Sequence, residues 1–330
     1  MKRTKLNFLA VASVCTAMAF TSCDSNDDVE EPQNTNSKGT VNVAATDAAV
    51  DAENVTGVFL NVKGIEVDGD DDANDATVMF DATQEFNLMA YQNGRTYDMG
   101  NLELNAGTYS NITFILDEDQ PAYVQFTDNT TSNVDLESNT NEYEIMGDFE
   151  VMAESQTDLV ADVDLRKAFV ETTTEGEFML RSTARLVNAN VSGTITGTVE
   201  NYEEMKSQME ATGVEGKLVV YAYTDGMFND AEKEDQDGSG LEGRFENSIN
   251  SAVVADDGTF TLAFMEESDY EMVIGVFEKD ALESEEEEYE FTSLIQTELA
   301  VGGSLDVVLD ILGVEANSNT DISIRIDLGS

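Results

Sequence analysis

Histidine and tryptophan are absent from the 330 residues, cysteine and proline occur twice each, and only 16 lysines and arginines face 68 aspartates and glutamates. Each gap closes off chemistry. Without His there is no Ser-His-Asp or Cys-His activation of a nucleophile, no usual zinc site and no side chain whose ordinary pKa suits general-base work near neutrality. Carboxylate, Lys, Tyr and Ser/Thr chemistry remains. Without Trp a sugar-cleaving cleft loses its usual stacking floor, although ten Tyr could partly substitute. A formal charge of −52 repels phosphate, whose binding depends on Lys and Arg, so nucleic-acid partners are excluded. No run beyond the first thirty residues is apolar enough to span a bilayer.

What is present begins with a targeting pattern. Lys2, Arg3 and Lys5 precede a mostly apolar or small run from Leu6 to Phe20. That run is shorter than a spanning helix needs and ends in small residues, which predicts an export signal that is cleaved. Phe20-Thr21-Ser22-Cys23 then resembles a lipobox, in the relaxed form of Bacteroidetes-like lipoproteins, with Phe20 where Leu is common. Cys23 is the only cysteine after the apolar run, and an exported lone thiol is best explained as a lipid attachment point. Lipid on Cys23 would make a membrane the first partner. The segment from Asp24 to about Lys38 is acidic and unpatterned, which predicts a disordered tether. It is similar to the acidic export signal of surface-exposed lipoproteins, though a plain spacer would look the same.

Cleavage before Cys23 would remove three basic residues and no acids, leaving 13 against 68 and a formal charge of −55. Solubility explains such a charge, and calcium binding is the specific alternative. An apolar content of 41% is enough for real cores, and the length suggests two domains.

Period-two alternation rich in β-branched and aromatic residues runs through most of the chain. It predicts strands at 39–46, Val55–Val67, Thr77–Phe80, Tyr109–Leu116, Ala122–Phe126, Glu142–Ile145, Leu159–Leu165, Glu177–Arg181 and Ala184–Asn188. A second β-rich unit starts near Val191, with strands at Val191–Val199, Lys217–Thr224, Tyr270–Phe277, Leu305–Leu312 and Asp321–Leu328. Ala252–Ala255 and Thr259–Phe264, joined by Asp256-Asp257-Gly258, read as a hairpin. Helix is predicted only at Asn201–Ala211, where Tyr202, Met205 and Met209 fall at near-helical spacing, and as one turn at Arg166–Val170.

The opening Gly39-Thr-Val-Asn-Val-Ala-Ala-Thr-Asp-Ala-Ala-Val-Asp51, the central Leu102–Leu116 with its Ala-Gly-Thr-Tyr109 and the closing stretches Asp162–Val170 and Phe178–Val187 together resemble domain of unknown function 4382. That family is found in bacterial envelope lipoproteins. Here Ala49 replaces a proline of the opening turn. Ser192-Gly-Thr-Ile-Thr-Gly-Thr-Val199, Val219–Tyr223, Asp257–Leu262 and Asp269–Val273 resemble a carboxypeptidase-regulatory or transthyretin-like sandwich. Neither resemblance brings a catalytic residue, and the second implies an accessory rather than an enzymatic fold.

Two acidic stretches could hold a cation. In Asp235-Gln-Asp-Gly-Ser-Gly-Leu-Glu-Gly-Arg-Phe-Glu246 the oxygens of Asp235, Asp237, Ser239 and Glu246 fall at the spacing of a calcium loop with Gly240 sixth. Glu242 stands where such loops pack an apolar residue, so a solvated acidic loop is the favoured reading. Asp68, Asp70, Asp71, Asp72 and Asp75 crowd a second site, again favoured as a solvated hairpin tip. Arg166, Lys167, Arg181 and Arg185 concentrate scarce basic residues, either as partners for nearby acids or as an anion-recognition patch.

The expectation is an all-β protein: signal peptide 1–22, tether 23–38, and two β-sandwich-like (Ig- or transthyretin-like) domains at 39–190 and 191–330. Its expected role is non-catalytic binding or adhesion from an outer-membrane lipid anchor, with an extracellular ligand the sequence does not identify. A carboxylate-dependent polysaccharide hydrolase and a calcium-stiffened spacer are the alternatives, calcium being the one cofactor in question.

Overall fold

Successive side chains on a strand point to opposite faces, so alternation translates directly into one buried and one exposed row. Glu142–Val151 is one such strand, with Tyr143, Ile145, Phe149 and Val151 buried and Glu142, Glu144, Asp148 and Glu150 exposed. The computed structural model describes residues 37–48, 55–70, 74–172, 174, 176–211, 213–234, 244–280, 290–294, 297–301, 304–307 and 312–326. Nearly all of it is β-structure, as the alternation predicts. The described residues all lie in one compact unit, 36–330.

Its first half holds β1 (Lys38–Ala48), β2 (Val55–Gly69), β3 (Ala76–Asn87), β4 (Tyr97–Asn105), β5 (Gly107–Leu116), β6 (Ala122–Phe126), β7 (Thr131–Leu136) and β8 (Glu142–Val151). These are followed by β9 (Gln156–Asp164), the one-turn helix α1 (Leu165–Ala168), β10 (Phe169–Glu171), β11 (Phe178–Leu180) and β12 (Arg185–Asn188). They form a single 12-stranded sheet in the order β10-β11-β7-β6-β2-β5-β8-β12-β9-β1-β4, with β3 paired to β2 off that path. Because β3 also lies against β4, the sheet curls round and encloses a core that includes Leu60, Ile65, Phe114, Tyr143 and Leu159. Strands β1 and β9 run parallel from Thr40↔Gln156 to Ala48↔Asp164, which sets Asp47 beside Val163 at one end of the sheet.

The second half contains β13 (Gly193–Val199), the helix α2 (Tyr202–Ala211), β14 (Val214–Thr224), β15 (Asn250–Val253), β16 (Thr259–Met265) and β17 (Ser268–Asp280). After them come β18 (Glu290–Leu294), β19 (Thr297–Val301), β20 (Ser304–Val307), β21 (Leu312–Val314) and β22 (Asn319–Ile326). Sheet β16-β13-β22-β19-β20 faces sheet β15-β14-β17-β18, to which β21 adds by pairing with β17. Ile195, Phe260, Leu262, Ile322 and Ile324 of the first meet Leu218, Val220, Met272 and Ile274 of the second in one core. Helix α2 forms where Tyr202, Met205 and Met209 place it, and all three pack on that core. Gly216 on β14 leaves room for the end of the Met209 side chain, whose Cε would lie 2.0 Å from a Cβ there and would have to swing aside.

One predicted pairing is wrong. The Asp256-Asp257-Gly258 turn does close, with Gly258 N–H donating to Ala255 O and Ala255 N–H to Thr259 O at 2.8 Å each. Its flanking strands, however, enter different sheets: β15 pairs with β14, and β16 with β13. An Asp-Gly turn specifies a reversal of the chain, not which backbone groups the strands then satisfy. Here the neighbouring long strands take both sets, and Asn250 Nδ2 spans the gap to Ala263 O at 2.8 Å.

Candidate functional site

The densest chemistry among the described residues lies where the 12-stranded sheet meets the sandwich, and it is built around α1. Asp164 caps that helix, accepting from Arg166 N–H at 3.2 Å. The same carboxylate receives Arg166 Nη2 at 2.7 Å and Lys167 Nζ at 3.4 Å. Both cations then reach into the sandwich: Arg166 Nη2 donates to Ser248 Oγ at 2.9 Å, and Lys167 Nζ donates to the Ser248 carbonyl. The Arg166 guanidinium sits 5.0 Å from the centroid of Tyr221, whose ring stacks on Phe245 at 4.1 Å. Ser248 is presented by a turn in which Phe245 adopts a left-handed φ of 56°, an uncommon conformation for an aromatic residue. Ser248 Oγ in turn donates to Phe245 O at 2.7 Å.

Two more buried acids flank this pair. Asp162 accepts Arg185 Nη2 at 2.6 Å and Nε at 2.9 Å. Asp47 accepts Leu165 N–H at 3.2 Å and Gln92 Nε2 at 2.9 Å, with no cation partner in either bond. Burial pushes the Asp164 carboxyl up, but the charges and hydrogen bonds of Arg166 and Lys167 outweigh it and leave the group below its ordinary value. For Asp162 burial wins over Arg185, so its pKa is raised. Asp47 is driven well above its ordinary value by burial, further by the charges of Asp164 and Asp162, with Gln92 and Leu165 offsetting only part. Burial also lowers Lys167, reinforced by the neighbouring Arg166 charge against the pull of Asp164. Two of the three acids thus close on three bases, while Asp47 is held by neutral donors. That arrangement holds the two surfaces together.

Arg166, Lys167 and Arg185 therefore serve as partners for nearby acids, the first of the two readings of that basic cluster. Cys23, Asp235, Asp237 and Ser239 lie outside the described residues, as do Asp71 and Asp72. Glu246 is half-buried in the turn that presents Ser248. Asp70 accepts Thr108 Oγ1 at 2.5 Å and Asp75 accepts Gly69 N–H at 3.0 Å, so both carboxylates bind the ends of neighbouring strands. Among the described residues no three acids are grouped so as to hold a metal ion. Nor does any helix there have the length and apolarity to cross a membrane.

Sequence reasoning missed two features. Glu232 is 1% exposed and anchors the segment between β14 and β15, accepting Asn247 Nδ2 at 2.5 Å, Asn247 N–H at 3.0 Å and Tyr223 OH at 3.3 Å. In a run of acids nothing distinguished it. The second is an open groove of about 790 Å³ beside β17, β21 and β22, whose walls include Glu267, Asp269, Glu315, Ser318, Asn319 and Asp321. It is wide and open, with walls of mixed polar and apolar character.

Residues 38–182 match the family model of a domain of unknown function, DUF4382. The match begins with β1 and ends just after β11, so it takes in Asp47, Asp162, Asp164, Arg166 and Lys167 but stops short of Arg185 and Ser248. The DUF4382 region thus supplies one side of the junction. No curated protein matches the chain. Among solved structures, a leucine-rich repeat protein from Bacteroides thetaiotaomicron VPI-5482 is 12% identical, covering 88% of this chain and 26% of its own, with a TM-score of 0.21. The chain spans about a quarter of that protein's length. A protein from Eubacterium rectale is 10% identical over 47% of this chain and 92% of its own, at a TM-score of 0.18. BcpA, the major pilin subunit of Bacillus cereus, is 8% identical over 88% of this chain and 71% of its own, at 0.20. Scores this low carry no argument about the fold.

Proposed function

We propose that the chain is a lipid-anchored, non-catalytic protein of the outer-membrane surface that binds or adheres to ligands outside the cell. The observation that carries this reading is Cys23, the lone thiol after a basic and apolar leader, behind Phe20-Thr21-Ser22. The family implied by the DUF4382 region supports it, since envelope lipoproteins are where that domain is expected. The resemblance of the second half to a carboxypeptidase-regulatory accessory fold points the same way. The junction adds support, because its charges are consumed in joining two parts of the molecule rather than aimed at a substrate. The groove bounded by Asp269, Glu315 and Asp321 gives a polar ligand a place to rest.

The test is to present the purified full chain to glycan and peptide arrays, alongside a turnover assay on the polysaccharides it captures. Saturable capture without turnover is expected. Turnover of a captured polysaccharide that is lost in Asp269→Asn or Glu315→Gln would replace this proposal with a carboxylate-dependent hydrolase.

A further inference from the structure

Where β1 and β9 of the 12-stranded sheet approach β15 and β16 of the sandwich lies a polar cavity of about 10 Å³. Its walls include Thr46, Asp47, Asp162, Asn250 and Ser251. A space of this size takes one water-sized molecule and nothing larger. Ser251 is 3% exposed, and its Oγ has no hydrogen-bond partner. It stands on β15 opposite Tyr221, facing away from the sandwich core that its neighbour Ala252 joins. Across the cavity both bonds from Arg185 end on Oδ2 of Asp162, and Asp47 accepts only one bond on each oxygen. A carboxylate has about four acceptor positions, so these two acids retain capacity.

We propose that the cavity is a binding site for a single resident water that links Ser251 of the sandwich to the Asp47 and Asp162 carboxyls of the 12-stranded sheet. Such a water would accept from Ser251 Oγ and donate to the two acids, the three bonds usual for a buried water. Charge argues for a neutral occupant. Asp162 already faces Arg185, and Asp164 faces Arg166 and Lys167, so a cation would add a buried positive charge to a cluster of three acids and three bases.

A crystal structure of the full chain, grown once in sodium and once in rubidium salt, tests this. The expected result is a density peak at ordinary hydrogen-bond distance from Ser251 Oγ and from at least one carboxyl, identical in both salts and without rubidium's anomalous signal. No peak, or an anomalous one, would overturn the proposal. Oxygen-17 magnetic relaxation dispersion gives a second readout in solution. Ser251→Val, which fills the space, should lose one long-lived water relative to the native chain. An unchanged count in a variant with the native circular-dichroism spectrum would also overturn it.

Discussion

Replacing Arg166 with Met would test whether the sheet and the sandwich are locked together by charge. The substitution keeps an apolar stem of similar reach and removes the guanidinium. Asp164, whose side chain is 10% exposed, then keeps the backbone N–H of position 166 but has Lys167 at 3.4 Å as its remaining cation, and Ser248 Oγ loses its donor. Removing one member of a buried pair costs about 3–5 kcal/mol. The remaining lysine reduces that, while the lost contact with Tyr221 adds roughly 0.5–2 kcal/mol. A net loss of about 4 kcal/mol follows. With a urea m-value of about 3 kcal/mol/M for a chain of this size, the midpoint should fall by roughly 1.3 M. Urea titration followed by far-ultraviolet circular dichroism reads this directly. Arg166→Lys should recover only part, since it restores charge without the planar fork that meets Asp164, Ser248 and Tyr221 together. A loss below about 0.5 kcal/mol for Arg166→Met, the range of ordinary surface changes, would refute the reasoning.

Asp47→Asn should act in a pH-dependent way. The native carboxyl is raised above its unfolded value, so its contribution to stability is full below the unfolded pKa of about 3.9 and is lost as pH rises through the folded value. The variant should therefore gain over the native chain at pH 8 and show little gain at pH 4, measured by urea titration at both. Asp164 has the opposite sign: its stabilisation, present above the unfolded pKa, should disappear as pH falls through its lowered folded value, an acid limb that Asp164→Asn removes. Glu232→Ala strands Tyr223 OH and two Asn247 donors, at a cost of about 1–3 kcal/mol. Limited proteolysis between β14 and β15 should speed up accordingly. Gly197→Ala places a Cβ 2.0 Å from the Phe260 ring, and displacing that buried ring should cost about 1–3 kcal/mol in thermal or urea unfolding.

Some strands were legible in the chain, β8 over its first half, while the alternating β7 and the neighbouring β4 were not predicted. In β8 the acids face out and the aromatics in, and in β14 the β-branched and aromatic run leaves no other reading. Alternation fails where a bulge changes its phase. In β5 both Tyr109 and Ile112 are buried although an odd number of steps separates them, because the register with β8 shifts between Tyr109 and Asn111. In β2 the same happens between Val62 and Gly64, so Val62 and Ile65 share the core. The junction was only half legible. Arg166 and Lys167 stood out as scarce cations near Asp162 and Asp164, but Ser248 lies more than eighty positions away and carries no local sign of burial. Asp47 and Glu232 were hidden for another reason: among 68 acids, a buried carboxylate looks like every solvated one.

The proposed anchor is Cys23, and the most direct measurement is metabolic labelling of the full chain with a tagged palmitate in its native host, beside Cys23→Ser. Label on the native protein that vanishes in the variant, with the variant released from the membrane fraction, is the predicted result. An unlabelled native protein, or equal label on both, would contradict it.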